Sequence, residues 1–274
     1  MKSIFLSISA IALIFLSSCS GGNRIQKNGN ENTSDALKVM TYNVHHCNPP
    51  SKSAAGDIDI DTIVGVIRKQ NPDLVALQEI DDHTSRSGAF NEAEVMAKKL
   101  DMHYYFGKAI DYGGGGYGVA ILSKYPLSDT KTIALPSTEG FKGETRVLAL
   151  ATIALPNGKA IRFGSTHLEV SSGANRDLQI KEINRIAASK TVPFIIGGDF
   201  NSAEGSPVIQ VLDQAFTRTC SQCAPTIPVD RPTKAIDFIA FTKGSPFKVL
   251  SHQVIPERYA SDHLPVVAEL QYIP

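Results

Sequence analysis

From Leu37 to Tyr272, apolar runs of strand length alternate with segments of helical period, and this alternation restricts the chain to a mixed α/β fold. Strands are expected over residues 37–44, 74–78, 119–123, 146–155, 159–166, 193–197, 236–241 and 265–271. Helices are expected over 60–70, 91–100 and 176–188, the first with Ile60, Ile63, Val64 and Ile67 on one stripe facing the core. Asn157-Gly158, set between two strand runs, signals a tight hairpin and an antiparallel pair. Hairpins beside helical crossovers fit sheets stacked between helices better than one purely parallel sheet. No internal linker and no repeat of 20 to 50 residues is visible.

The segment before this pattern has a different character. Lys2 is followed by an apolar run from Ile4 to Leu16 and by small residues, the layout of an export signal over residues 1–18. The run falls short of the roughly 20 residues that span a bilayer. Leu16-Ser17-Ser18-Cys19 resembles a bacterial lipobox, in which Cys19 becomes the acylated start of the mature chain. The alternative is simple cleavage near that cysteine. Residues 19–36 read as the acylated cysteine and a flexible Gly-, Asn- and Ser-rich tether, and residues 37–274 as the folded domain. The expected location is therefore the bacterial cell envelope, extracytoplasmic and lipid-anchored.

Polar residues gather where the strands should end: Asn43, Glu79, His167, then Asp199 and Asn201, Asp237, and finally Asp262 and His263. Any one of them could be an ordinary cap or turn residue. Their recurrence at strand ends points to a shared site. Asp237 opens an otherwise apolar run, and a buried carboxylate needs a partner to avoid a cost of several kcal/mol, on the order of that for an unpaired buried ion. His263 is the candidate partner.

The runs Thr41-Tyr42-Asn43, Leu77-Gln78-Glu79, Ser165-Thr166-His167-Leu168, Gly198-Asp199-Phe200-Asn201, Ile236-Asp237-Phe238-Ile239 and Ser261-Asp262-His263-Leu264-Pro265 resemble, in order, those of the endonuclease/exonuclease/phosphatase superfamily. This is the superfamily of DNase I, apurinic endonucleases and bacterial sphingomyelinases. Further runs, including His45-His46, Arg86-Ser87-Gly88 and Glu144-Thr145-Arg146, are similar to a bacterial branch of metal-dependent hydrolases. The resemblance implies a DNase I-like four-layer α/β sandwich, with two mixed, mainly antiparallel sheets flanked by helices. It implies Mg²⁺, with Mn²⁺ as the alternative, held by Glu79 with Asn43 and Asp262. It makes His263 the general base oriented by Asp237, gives Asp199 and Asn201 the attacking water, and places His167 beside a phosphoryl oxygen or leaving group. Arg86 and His45 are candidate substrate contacts.

Charge and composition narrow the substrate. Lys plus Arg and Asp plus Glu are 27 each, no Lys/Arg run exists, and there is no Trp, so a nucleic acid is not favoured. The reading is a metal-dependent hydrolase of phosphate esters, foremost a phosphodiesterase of a small or lipid-derived substrate, acting as a monomer. The alternatives are an extracytoplasmic nuclease and, after it, a catalytically silent binding protein. Gly113 to Gly116 lacks the Lys-Ser or Lys-Thr of a phosphate-binding loop and is expected to be a mobile loop. Asp57, Asp59 and Asp61 read as a charged helix start, Cys220 and Cys223 as a local disulfide, and Cys47 as a leftover buried thiol.

Overall fold

The computed structural model describes Met1, residues 36–188 and residues 192–273. The leader, Cys19 and nearly all of the tether lie outside the described residues. Residues 36–273 belong to one compact unit.

Every expected strand and helix is present, in the chain order β1 (Ala36–Asn43), α1 (Ile60–Gln70), β2 (Leu74–Asp82), α2 (Glu92–Leu100), β3 (His103–Tyr112), β4 (Gly115–Ser123), β5 (Leu127–Ala134), β6 (Val147–Ala154), β7 (Ala160–His167), α3 (Gly173–Ala188), β8 (Phe194–Asp199), α4 (Pro207–Ala215), β9 (Phe216–Arg218), β10 (Asp237–Thr242), β11 (Phe247–Val254) and β12 (Val266–Tyr272). One sheet has the order β11-β12-β1-β2-β4-β3 and the other β5-β6-β7-β8-β10-β9. Each holds a single parallel pair, β1 with β2 and β7 with β8, and is otherwise antiparallel. Parallel neighbours need a crossover, and α1 and α3 supply it.

Apolar residues from both sheets, among them Val39, Ala76, Ile121, Ala149, Phe163, Ile195 and Ile239, form the core between the sheets. The outer face of the first sheet packs on α1 and α2, and that of the second on α3 and α4, which gives four layers. Asp59 caps α1, accepting from the Thr62 amide at 3.0 Å, so the acidic run is a helix start as its composition suggests. The two sheets approach closely near Gly197, where a Cβ would lie 2.8 Å from that of Ala76 and 3.0 Å from that of Thr41. Beside this contact Gln78 donates to Ser165 Oγ at 3.1 Å, and Ser165 donates to the Leu77 carbonyl at 2.9 Å. These buried groups are satisfied across the sheet interface, directly beneath the polar strand ends.

Five elements carry no expectation from the sequence: β3, β5, β9, β11 and α4. The four strands are the four sheet edges. Their side chains are largely exposed or half-buried, as in β5, so they lack the apolar run that marks a central strand. Gly113 to Gly116 is a correction. It is not a mobile loop but the turn of the β3–β4 hairpin, with Gly113 and Gly114 at φ 55° and 85°, the left-handed pair that a two-residue hairpin turn requires. Cys220 and Cys223 form a disulfide and Cys47 is buried and free.

Candidate active site

The topology explains why residues so far apart in sequence converge. β1, β2, β7 and β8 point their C-terminal ends at one rim of the sandwich, and the antiparallel β10 and β12 begin there. Asn43, His167 and Asp199 end their strands, Asp237 starts β10, and His263 lies just before β12. Register places His167 opposite Asp199, and Asp199 opposite Asp237.

Asp199 Oδ2 is the meeting point. It lies 3.2 Å from Asn43 Nδ2, 3.5 Å from His167 Nε2 and 3.7 Å from His263 Nε2. His263 Nδ1 contacts both oxygens of Asp237, at 3.0 and 3.2 Å. Thr226 donates to Asp237 Oδ2 at 2.5 Å and so fixes the carboxylate from behind. Asn43 Nδ2 also donates to Glu79 Oε1 at 2.9 Å, linking the two sheets' carboxylates through one amide. Asn201 acts through its main chain, which donates to Asp199 Oδ1 at 2.9 Å, while its amide nitrogen donates to the Leu168 carbonyl.

Burial and pairing divide the charges. Burial opposes the charge on His263, but Asp237, followed by Asp199, outweighs it and pushes the imidazole up to about 10. Burial, helped by the charge of Arg146, pushes His167 down to about 4. The two imidazoles that face Asp199 are thus held in opposite protonation states at neutral pH. Burial and the Asp237 charge push Asp199 upward. Burial works to raise Glu79, but the His46 contact, the charge of His167 and the Asn43 amide hold it well below the usual carboxylate range.

Glu79 is the extra residue of a bulge in β2, between Gln78 and Ile80, with φ 59°. His45, His46 and Cys47 also have positive φ, at 48°, 41° and 54°. For residues with a Cβ this conformation costs roughly 1–2 kcal/mol each. Such strain persists only where surrounding contacts over-determine it, and it clusters at functional sites. Here the turn is pinned by buried Cys47, whose amide donates to the Val44 carbonyl at 2.9 Å, by Asn48, which donates to the Asp57 carbonyl at 2.6 Å, and by Asn43 Oδ1, which accepts from the His45 amide.

Other expected site residues fall differently. Two groups of side chains could hold a metal among the described residues, His45 with His46 and Glu79, and Asp199 with Asp237 and His263. Asp262 is in neither. Its carboxylate lies 3.3 Å from Ser261 Oγ, whose one proton goes to the Asn43 carbonyl at 2.7 Å. Asn43 presents its amide nitrogen to Glu79, so in this arrangement it positions the carboxylate. Asn43 thus joins the expected metal residues, through its amide to Glu79 and through its carbonyl and the Ser261 hydroxyl to Asp262. Arg86 has Nε and Nη2 on Asp81 at 2.7 and 2.9 Å and stacks over Tyr112 and Tyr117. Nη1 faces the Tyr112 hydroxyl at 3.5 Å, so all three guanidinium nitrogens already have protein partners. Arg146, beside His167, is paired with Glu144 and Glu169. Thr226 sits in no run that distinguishes it from an ordinary core residue.

The sequence model of the Endonuclease/Exonuclease/phosphatase family matches residues 40–263, and the chain belongs to that family. It is 25% identical over 253 residues to the Uncharacterized protein YbhP of Escherichia coli, covering 86% of this chain and 96% of that one. It is 24% identical over 209 residues to Sphingomyelinase C of Bacillus cereus, covering 66% of this chain and 61% of that protein. The fold is similar to the crystal structure of an endonuclease/exonuclease/phosphatase from Beutenbergia cavernae, with a TM-score of 0.73 and 24% identity over 87% of this chain and 72% of that one. Family membership and the buried Asp, Asp and His group make the protein a hydrolase of phosphate esters with a candidate metal site.

Proposed function

We propose that the protein is a divalent-cation-dependent phosphodiesterase of a small or lipid-derived substrate, tethered through Cys19 at the outside of the cell membrane. The observation that carries this reading is the convergence of Asn43, His167 and His263 on Asp199 Oδ2, with Asp237 behind His263 and Glu79 across the Asn43 amide. A cation bound at Glu79 would polarise a phosphoryl oxygen and offset charge on the leaving oxygen. Asp199, held by the Asn201 amide, orients the attacking water and accepts its proton. His263, for which the resemblance implies a general base, is instead kept charged by Asp237 and neutralises a phosphoryl oxygen in the transition state. His167, kept neutral, lies within reach of the same oxygen or of the leaving group.

Three things favour a small or lipid-derived substrate over a nucleic acid. The arginines nearest the site, Arg86 and Arg146, are already paired with carboxylates, so little net positive charge remains for a polyanion. The leader and Cys19 imply a membrane surface. A relative is named a sphingomyelinase. The test is a panel of a simple phosphodiester, a phosphomonoester, phospholipid vesicles and DNA, each with Mg²⁺ or Mn²⁺ and with EDTA. Cation-dependent cleavage led by the phosphodiester or phospholipid is expected, and lost in Asp199→Asn. DNA as the preferred substrate would replace this reading with the nuclease, and full activity in EDTA would end it.

A further inference from the structure

We infer that His45, His46 and Glu79 form a binding site for a borderline transition-metal ion such as Zn²⁺ or Co²⁺. It rests on the proposed function only in sharing Glu79. All three donor residues have left-handed backbone, at φ 48°, 41° and 59°, and they come from two strained segments, the turn after β1 and the bulge of β2. The turn sets consecutive imidazoles 4.5 Å apart, ring centre to ring centre, on the side of Glu79.

The hydrogen bonds leave the donor atoms available. His45 Nδ1 is 2.8 Å from the Asn48 carbonyl, which can only accept, so Nδ1 carries the proton and Nε2 offers its lone pair. An outer carbonyl that fixes the tautomer of an imidazole is the usual support of a metal-bound histidine. His46 Nδ1 is buried with no hydrogen-bond partner and faces Glu79 Oε2 at 4.0 Å, too long for a hydrogen bond. Glu79 Oε1 is occupied by Asn43, which leaves Oε2. One ring nitrogen of each histidine and one Glu79 oxygen lie within 4.8 Å of one another. An ion at the centre of such a triangle is at most about 2.8 Å from each donor, so an inward movement of roughly 0.6 Å per side chain gives ordinary bonds of about 2.0–2.2 Å. Two imidazoles and one carboxylate suit Zn²⁺, Co²⁺ or Mn²⁺ better than Mg²⁺, which prefers oxygen.

The experiment is a titration of the EDTA-stripped protein with Co²⁺, read by ligand-field absorption in the visible, with no substrate present. One equivalent should bind, and the band should persist in millimolar Mg²⁺. His45→Ala and His46→Ala should each weaken Co²⁺ binding by at least about tenfold, the scale reported for outer-shell partners alone. His46→Gln, with circular dichroism to confirm folding, serves if His46→Ala does not fold. In ring ¹⁵N spectra, Zn²⁺ should shift His45 Nε2 far more than Nδ1. Unchanged Co²⁺ affinity and band in folded variants at both histidines would overturn the inference. So would displacement of Co²⁺ by Mg²⁺ at equal concentration. A protein that binds Co²⁺ through both histidines yet cleaves nothing in the substrate panel would keep this site and lose the proposed function.

Discussion

Replacing Asp237 by Asn tests the pair on which the site turns. The change keeps the shape of the side chain but removes the charge that, with contacts at 3.0 and 3.2 Å, holds His263 protonated. Because the folded pKa of His263, about 10, lies above its unfolded value of about 6.5, the pair stabilises the fold fully below pH 6.5. That contribution is lost as pH rises through 10. Raising an almost completely buried imidazole by that much is worth on the order of a few kcal/mol at low pH, roughly half of that at pH 8 and almost nothing at pH 10. Between pH 8 and pH 10 the metal-free wild type should therefore lose more stability than Asp237→Asn, by on the order of 1–2 kcal/mol, since Asp199 still supports part of the His263 charge in the variant and groups far from the pair titrate alike in both. Guanidinium unfolding of the two proteins at each pH measures this difference directly. In activity, Asp237→Asn and His263→Ala should each lower kcat by roughly 10² or more, and the double variant should be little worse than the poorer single one. Equal pH slopes in the two proteins, or a His263 ring that titrates near 6.5 in the wild type, would refute the reasoning. Additive losses in the double variant would show that the two residues act independently.

Three further outcomes follow from the packing and the leader. Gly197→Val puts a side chain into a close approach of the two sheets, where even a Cβ would meet Ala76 and Thr41 within 3.0 Å. Overpacking of about 1–3 kcal/mol should appear as a lowered Tm in thermal unfolding, and an unchanged Tm would mean that the sheets can separate there. Ser165→Ala leaves the buried Gln78 amide without its acceptor, and the unfolding free energy should fall by about 1–3 kcal/mol. Cys19→Ala should move the protein from the membrane to the soluble fraction without loss of hydrolysis, and mass spectrometry of the native protein should find the mature chain starting at an acylated Cys19.

The sequence by itself determined the layered α/β architecture, the Asn157-Gly158 hairpin and the residue types at the strand ends, because burial on one face imprints a period that can be read locally. It also marked Asp237 as a buried charge in need of a partner, since an ion inside an apolar run is anomalous whatever surrounds it. The tertiary structure decided the rest. The edge strands β3, β5, β9 and β11 have too little burial to leave an apolar run, so only their pairing defines them. The helix α4 is different, because Ser206-Pro207 followed by Val208, Ile209 and Leu212 is a start signal legible in the sequence itself. Thr226 behind Asp237 and the pairing of Arg86 with Asp81 depend on where loops cross the rim, which residue type alone does not specify. The same holds for Asn43, whose amide direction is set by the His45 main chain and two carboxylates. The left-handed run His45-His46-Cys47 goes against local preference altogether, and its local hydrogen bonds need the further anchors of Cys47 in the core and Asn48 on Asp57 to hold it in place.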